Sequence, residues 1–463
     1  GDELVHSAVY NKLSYSIGQY YYKTDGIREN NDQRNEIYNG YAQGMVSPKT
    51  SWMFELRYDE DEYGDLTMVI YPAVYDFSPT IRTVAEQKNG RLGFRHDFRP
   101  HSTLIGTAAL DSGNTDITGW DGVDILTDSE AIIGELQHLY NSDVVNLQSG
   151  VGYFYLEGDD KIVFNDPFPF EAEEEVEGRH ANIYSYAQFQ IPYEVIATVG
   201  LSGDLVDIFG TEREELNPKL GLVWQPADST LIRGAIFKTV SRSLVNFQTI
   251  EPTNVAGFNQ FFDVSTASMV WNYGIGLDQT FSSKLFGGVQ YLQRDLDFPY
   301  TLIDENTGMT SPAEDNWREQ IGSAYLYWAP AKWISLGLEY FYEDFEHDVL
   351  EVGAIFGIFG VTNHRIVPQI SFFHPCGFSA RLLANYVDQK RDFEDYIPEE
   401  AVESDQFWQV DAALSYRLPK RYGIVNLVAK NLFNEEFNYI DTDPANPKFL
   451  PEQQVFLTLT LQF

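Results

Sequence analysis

The nine carboxy-terminal residues constrain this chain more than any other feature. In Val455-Phe456-Leu457-Thr458-Leu459-Thr460-Leu461-Gln462-Phe463, a period of two puts Val455, Leu457, Leu459, Leu461 and Phe463 on one face and Thr458, Thr460 and Gln462 on the other with Phe456. One apolar face, one largely polar face and an aromatic last residue suit the end of a membrane-spanning barrel strand. A sandwich could bury one such strand, yet the alternation repeats down nearly the whole chain. In 333–343, Ile334, Leu336, Leu338, Tyr340 and Tyr342 alternate with Trp333, Ser335, Gly337, Glu339, Phe341 and Glu343. In 407–418, Trp408, Val410, Ala412, Leu414, Tyr416 and Leu418 oppose Phe407, Gln409, Asp411, Ala413, Ser415 and Arg417. Glu339 and Asp411 need water on their face, because a charge facing lipid at mid-depth costs about 2–4 kcal/mol for a cation and somewhat less for an acid. The pattern therefore predicts hydrocarbon outside and a polar lumen inside.

No run of about 18 apolar residues occurs, so helical spans are excluded. Barrel strands hide their hydrophobicity by alternation, which fits a mean hydropathy of −0.29. The 29 Tyr and 32 Phe suit aromatic girdles at the two membrane surfaces. No Pro/Ser-rich linker divides the chain, so 1–463 reads as a single domain.

Short turns are expected around Pro48, Pro100, Asn141, Pro192, Pro226, Ser282, Pro330, Pro375 and Pro419, where a proline breaks no ladder hydrogen bond. The polar stretches 59–87, 112–128, 157–177, 241–262, 296–316 and 434–448 read as long loops at the other rim. About 20 strands fit between them, from 13–24 to 453–463, and residues 3–10 would add one more and make the count odd. In that case a further strand would precede it outside this chain. The fold class is all-β: a transmembrane, up-and-down antiparallel β-barrel of about 20–22 strands.

A formal charge of −38 excludes nucleic acid as a general partner. The acidic runs 59–62 and 171–175 read as solvated loop tips. Asp59, Asp61 and Asp65 are the candidate divalent-cation ligands, since the run begins like a calcium loop with acids at relative positions one and three and Gly64 at six. Tyr63 at position five and Ile70 at twelve break that ligand set. His96 and His101 read as turn residues. No phosphate loop, nucleophile elbow or paired catalytic carboxylates emerges, so neither an enzyme nor a cofactor is expected. The single Cys376 permits no internal disulfide.

Three segments carry a resemblance. Residues 217–226 (Asn-Pro-Lys-Leu-Gly-Leu-Val-Trp-Gln-Pro) with 230–235 resemble a mid-barrel hairpin of the TonB-dependent receptors of the bacterial outer membrane. Residues 427–437 (Leu-Val-Ala-Lys-Asn-Leu-Phe-Asn-Glu-Glu-Phe) resemble the penultimate-strand signature of that family, and the terminal strand completes the set. The resemblance implies an outer-membrane barrel of up to 22 strands in a Gram-negative-type bacterium, with Phe463 as the signal read by the barrel-assembly machinery. No plug domain precedes the barrel within these residues and nothing near Gly1 looks like a TonB box.

The sequence therefore predicts a passive, porin-like channel, narrowed by loops folded inward and made cation-selective by its acids. The alternatives are a TonB-type receptor barrel whose plug lies outside the chain, and a scaffold or export pore. Outer-membrane lipids and a periplasmic or lumen-bound protein are the expected partners.

Overall fold

The computed structural model describes residues 1–26, 28–66, 78–120, 122–165, 170–208, 210–242, 248–260, 264, 266–303, 310–347, 358–393, 403–440, 448–449 and 452–462; within these, the side chains of 300–303, 310–312, 347, 358, 359 and 393 are not described.

One 21-stranded sheet dominates. Its strands are β1 (Asp2–Tyr10), β2 (Leu13–Thr24), β3 (Gln33–Ser47), β4 (Thr50–Tyr63), β5 (Arg82–Arg99), β6 (Ser102–Trp120), β7 (Val123–Asn141), β8 (Val145–Phe164), β9 (Phe170–Ile191), β10 (Val195–Ile208), β11 (Thr211–Ala227) and β12 (Thr230–Val240). After a two-strand hairpin, β13 (Asn254–Val255) and β14 (Phe258–Asn259), the sheet resumes. It continues as β15 (Met269–Ser282), β16 (Leu285–Ile303), β17 (Thr310–Ala331), β18 (Ile334–His347), β19 (Ile358–Phe373), β20 (Phe378–Phe393), β21 (Ser404–Arg417), β22 (Gly423–Lys430) and β23 (Gln454–Leu461).

Within this sheet each strand pairs antiparallel with the one that follows it, β12 with β15 across the hairpin, which is up-and-down order; the expected strand over 3–10 is present as β1. Every short turn expected from the sequence falls at one rim, although β6–β7 and β10–β11 also join closely at the other, and Pro330 lies at the opposite rim from residues 171–175, because alternate hairpin ends cannot share a rim. Among the described residues β1 pairs only with β2 and β23 only with β22. With an odd strand count these two edges run in the same direction.

The two faces separate as the alternation requires. On β21 Trp408, Leu414 and Tyr416 are exposed, while Phe407, Gln409 and Asp411 are buried. On β10 Val199, Leu201 and Leu205 face out, and Thr198, Ser202 and Asp204 are buried on the other side. Exposed aliphatics and buried polar groups invert a soluble core and match a wall with lipid outside.

Several expected loops are ladder instead. Residues 112–128 lie almost wholly in β6 and β7, 157–177 in β8 and β9, and 296–316 in β16 and β17. The acidic runs sit within strands, 59–62 in β4 and 171–175 in β9, and not at loop tips. His96 likewise belongs to β5, where its Nδ1 is 2.9 Å from Thr50 Oγ1. Strands β6 to β9 run 19 to 22 residues, whereas a tilted strand crosses the membrane in about 9–11. Above the membrane both faces are wet, so the hydrophobic alternation stops while the hydrogen-bonded ladder goes on.

Strand length also sets which lipid-facing residues lie deep. Leu336 is near the short-turn end of β18, and Leu338, which is exposed, lies closer to the middle of the span. Leu338→Arg is expected to destabilise the folded barrel by about 2–4 kcal/mol and Leu336→Arg by less, measured by urea unfolding in lipid vesicles.

Candidate functional site

Between β12 and β15 the chain turns into the barrel. Strand β12 has 11 residues against 17 in β11, so the connection 241–268 leaves the wall below its neighbours' rim. Its described residues 248–260 lie along the lumenal face of the wall from β7 to β12. Thr249 Oγ1 donates to Glu135 Oε1, Ile250 N donates to Glu135 Oε2 at 3.0 Å, and Gln137 Nε2 donates to the Ile250 carbonyl at 2.8 Å. Glu135 and Gln137 stand toward the short-turn end of β7, so the loop penetrates most of the span.

One buried ion pair pins it. Arg242 lies 3.0 Å from Glu251 and 4.0 Å from Glu135, with Thr249 Oγ1 accepting from its guanidinium at 2.9 Å. Glu251 also accepts from Asn182 Nδ2 at 2.9 Å and from the Tyr186 hydroxyl at 2.6 Å. Burial alone would lower the Arg242 pKa; Glu251, Glu135 and Asp204 outweigh burial and hold it above the ordinary value. A buried charge is tolerated when paired and hydrogen-bonded, and both conditions hold here. Higher on the same wall, His180 Nε2 is 2.9 Å from Asp204 Oδ1, and Asn217 Nδ2 donates to Asp204 Oδ2 at 2.6 Å.

The loop's tip, the β13–β14 hairpin, is apolar and docks in an apolar seat. Val255 and Phe258 are buried against Tyr184, Tyr186, Phe237 and Leu292. The Arg233 guanidinium lies 5.5 Å from the Phe258 ring centroid. The wall has glycines where the hairpin touches it: a Cβ at Gly274 would sit 2.5 Å from Phe258, and one at Gly221 would sit 2.9 Å from the Ala256 Cβ. Glycine weakens a strand interior, so its use here makes room for closely approaching chain.

A second segment, beginning at Asn431, folds in beside β20 and β21. Phe407 of β21 stacks on Phe437 with centroids 4.3 Å apart, and Tyr439 and Phe449 complete a buried aromatic cluster with Val387. Gln389 clamps the Ile440 backbone, donating to its carbonyl at 2.8 Å and accepting from its N–H at 2.9 Å. Asn431 and Asn434 take left-handed backbone conformations, which asparagine tolerates. The Asn431 amide donates to Asp411 Oδ1, and its side chain caps Glu435 in both directions. The 427–437 signature thus ends β22 and ties the following segment to the wall.

The acids singled out from sequence do not converge. Asp59 accepts from Asn35 and Arg57, Asp61 from Gln33, and Asp65 from Arg28 and the Ser78 amide. Among the described residues no group of three or more His, Cys, Asp or Glu is placed to hold a metal ion. Phe463 lies outside the described residues. Its deletion is expected to cut membrane insertion far more than the stability of barrels that do form; unchanged insertion by heat-modifiable gel migration would contradict that role.

From sequence, 241–262 reads only as a long polar loop at the other rim, so Arg242, Glu251 and the β13–β14 hairpin are not singled out, nor is Glu135 in β7. The signal was Val255-Ala256-Gly257-Phe258, an apolar tip out of place in a solvated loop.

No family model matches the sequence, and no curated protein matches it. Solved structures do. The copper transporter OprC superposes with a TM-score of 0.73 at 11% identity, over 100% of this chain and 79% of its own. The ferric-catecholate import receptor Fiu of E. coli K12, in its closed form, gives 0.69 at 12%, over 100% and 79%. FpvA of P. aeruginosa, solved with bound ferric pyoverdine, gives 0.70 at 11%, over 99% and 69%. These are TonB-dependent outer-membrane transport receptors and not enzymes, and their barrel is the fold of this chain.

Proposed function

We propose that this chain is the barrel of an outer-membrane uptake receptor of the TonB-dependent type, taking up a metal ion or a metal chelate through a lumen that its own loops narrow. The observation that carries this reading is the superposition of nearly the whole chain on receptor barrels, with the 217–235 and 427–437 segments in their expected mid-barrel and penultimate places. A passive channel is the weaker reading, because chain held by a buried ion pair and an apolar seat lies against the lumenal wall and takes up lumen space.

Uptake of radioiron-loaded catecholate and hydroxamate siderophores and of copper(II) by cells with and without the full-length gene tests the proposal. Saturable uptake of at least one probe, abolished when the proton-motive force is dissipated, is the expected result. Flux linear in concentration and indifferent to that force would instead mean a passive pore.

A further inference from the structure

We propose that the outer wall over β1 to β8 holds a seat for lipid acyl chains, formed by two glycine notches just below the aromatic girdle. The inference depends on which face meets lipid and not on the uptake reading.

Residues Ile17, Gly40, Leu56, Gly90, Leu110 and Ile132 are direct cross-strand neighbours in one row from β2 to β7. Ile17, Leu56, Leu110 and Ile132 are exposed on the lipid side. They wall a groove of about 960 Å³ that runs from Leu4 of β1 to Tyr155 of β8. The glycines are its floor: a Cβ added at Gly40 meets nothing within 4 Å, and one at Gly90 meets only Leu56 Cδ2, at 3.5 Å. Neither has a positive φ, and among the described residues no other part of the chain packs into either notch, so neither a backbone turn nor internal packing there calls for glycine.

The next row outward marks the membrane surface. Tyr38 and Tyr58 pack with centroids 6.3 Å apart, Lys88 Nζ stands 6.0 Å from the Tyr58 ring centroid, and the Tyr58 hydroxyl donates to Glu60 at 2.7 Å. The notches therefore open at the top of the hydrocarbon layer.

Their width selects the occupant. Each notch is one strand wide, about 4.8 Å, whereas a helix with its side chains measures about 10–12 Å. A β-strand has no ladder to join there, since the backbone of β2 to β7 is paired on both sides. An unbranched methylene chain fits both limits. The two notches, on strands two apart, lie about 10 Å from each other, which suits two chains divided by Leu56.

Native mass spectrometry tests this on the full-length protein, reconstituted separately in phosphatidylethanolamine vesicles and in vesicles with added lipopolysaccharide, then extracted into detergent. The wild type is expected to retain lipid, and the adduct mass tells which lipid supplies the chains. Gly40→Leu with Gly90→Leu should lower retention about fivefold or more by filling space that methylenes occupy. Gly134→Leu, on the same face and equally open but outside the groove, should leave it unchanged. Should the double variant not fold by heat-modifiable migration, Gly90→Leu alone gives the same reading at smaller amplitude. Equal retention in wild type and glycine variants, no retained lipid in the wild type, or a second chain retained in place of lipid would overturn the proposal.

Discussion

Arg242→Ala is expected to destabilise the folded barrel by about 3–5 kcal/mol, the cost of leaving a buried carboxylate without its cation. Glu251 would keep its bonds from Asn182 and Tyr186, but these neutral donors cannot balance its charge. Because Arg242 stands where the loop leaves the wall, its loss should also free the loop. Urea unfolding in lipid vesicles measures the first effect, and proteolysis of the loop from the lumen the second. Glu251→Gln in the Arg242→Ala background should recover part of the loss, since both charges are then gone. A single-variant loss below about 1 kcal/mol would place the pair in water and not in a buried seat.

Phe407→Ala should cost a similar amount, about 3–5 kcal/mol, as for other buried aromatics. Phe407 touches Phe437, Tyr439 and Phe449, so its removal leaves a cavity that three other rings line. The effect should fall on the segment after Asn431 more than on the ladder, because β20 and β21 keep their backbone pairing. Hydrogen exchange at Asn438 and Ile440 should rise well above that in β21. Uniform exchange across both would mean that the segment and the wall unfold together.

The membrane-spanning part of each strand was legible because hydrocarbon on one side and water on the other impose a period of two. Trp408 against Phe407 and Gln409 shows it directly. The strand ends were not legible where that contrast vanishes. At Glu171 to Glu175 both faces are wet, and only the pairing of β9 with β8 extends the ladder. The inward loops were unreadable for a different reason. Glu135 and Arg242 are far apart in sequence, and nothing local to either says that they meet. The 427–437 segment was recognised as a signature, yet its physical role, left-handed asparagines that turn the chain onto the lumenal wall, needed the register of β21 and β22.

Conductance of wild-type and Arg242→Ala protein, compared in the same planar bilayers, tests most directly that the inward segment held by Arg242 narrows the lumen. The account predicts small or no steps for the wild type and several-fold larger steps for the variant. Both should prefer cations at low salt, because the chain carries 69 acids against 31 basic residues. That preference should weaken at 1 M salt, where the screening length falls to about 3 Å. Large, steady and equal conductance in the two proteins would contradict it.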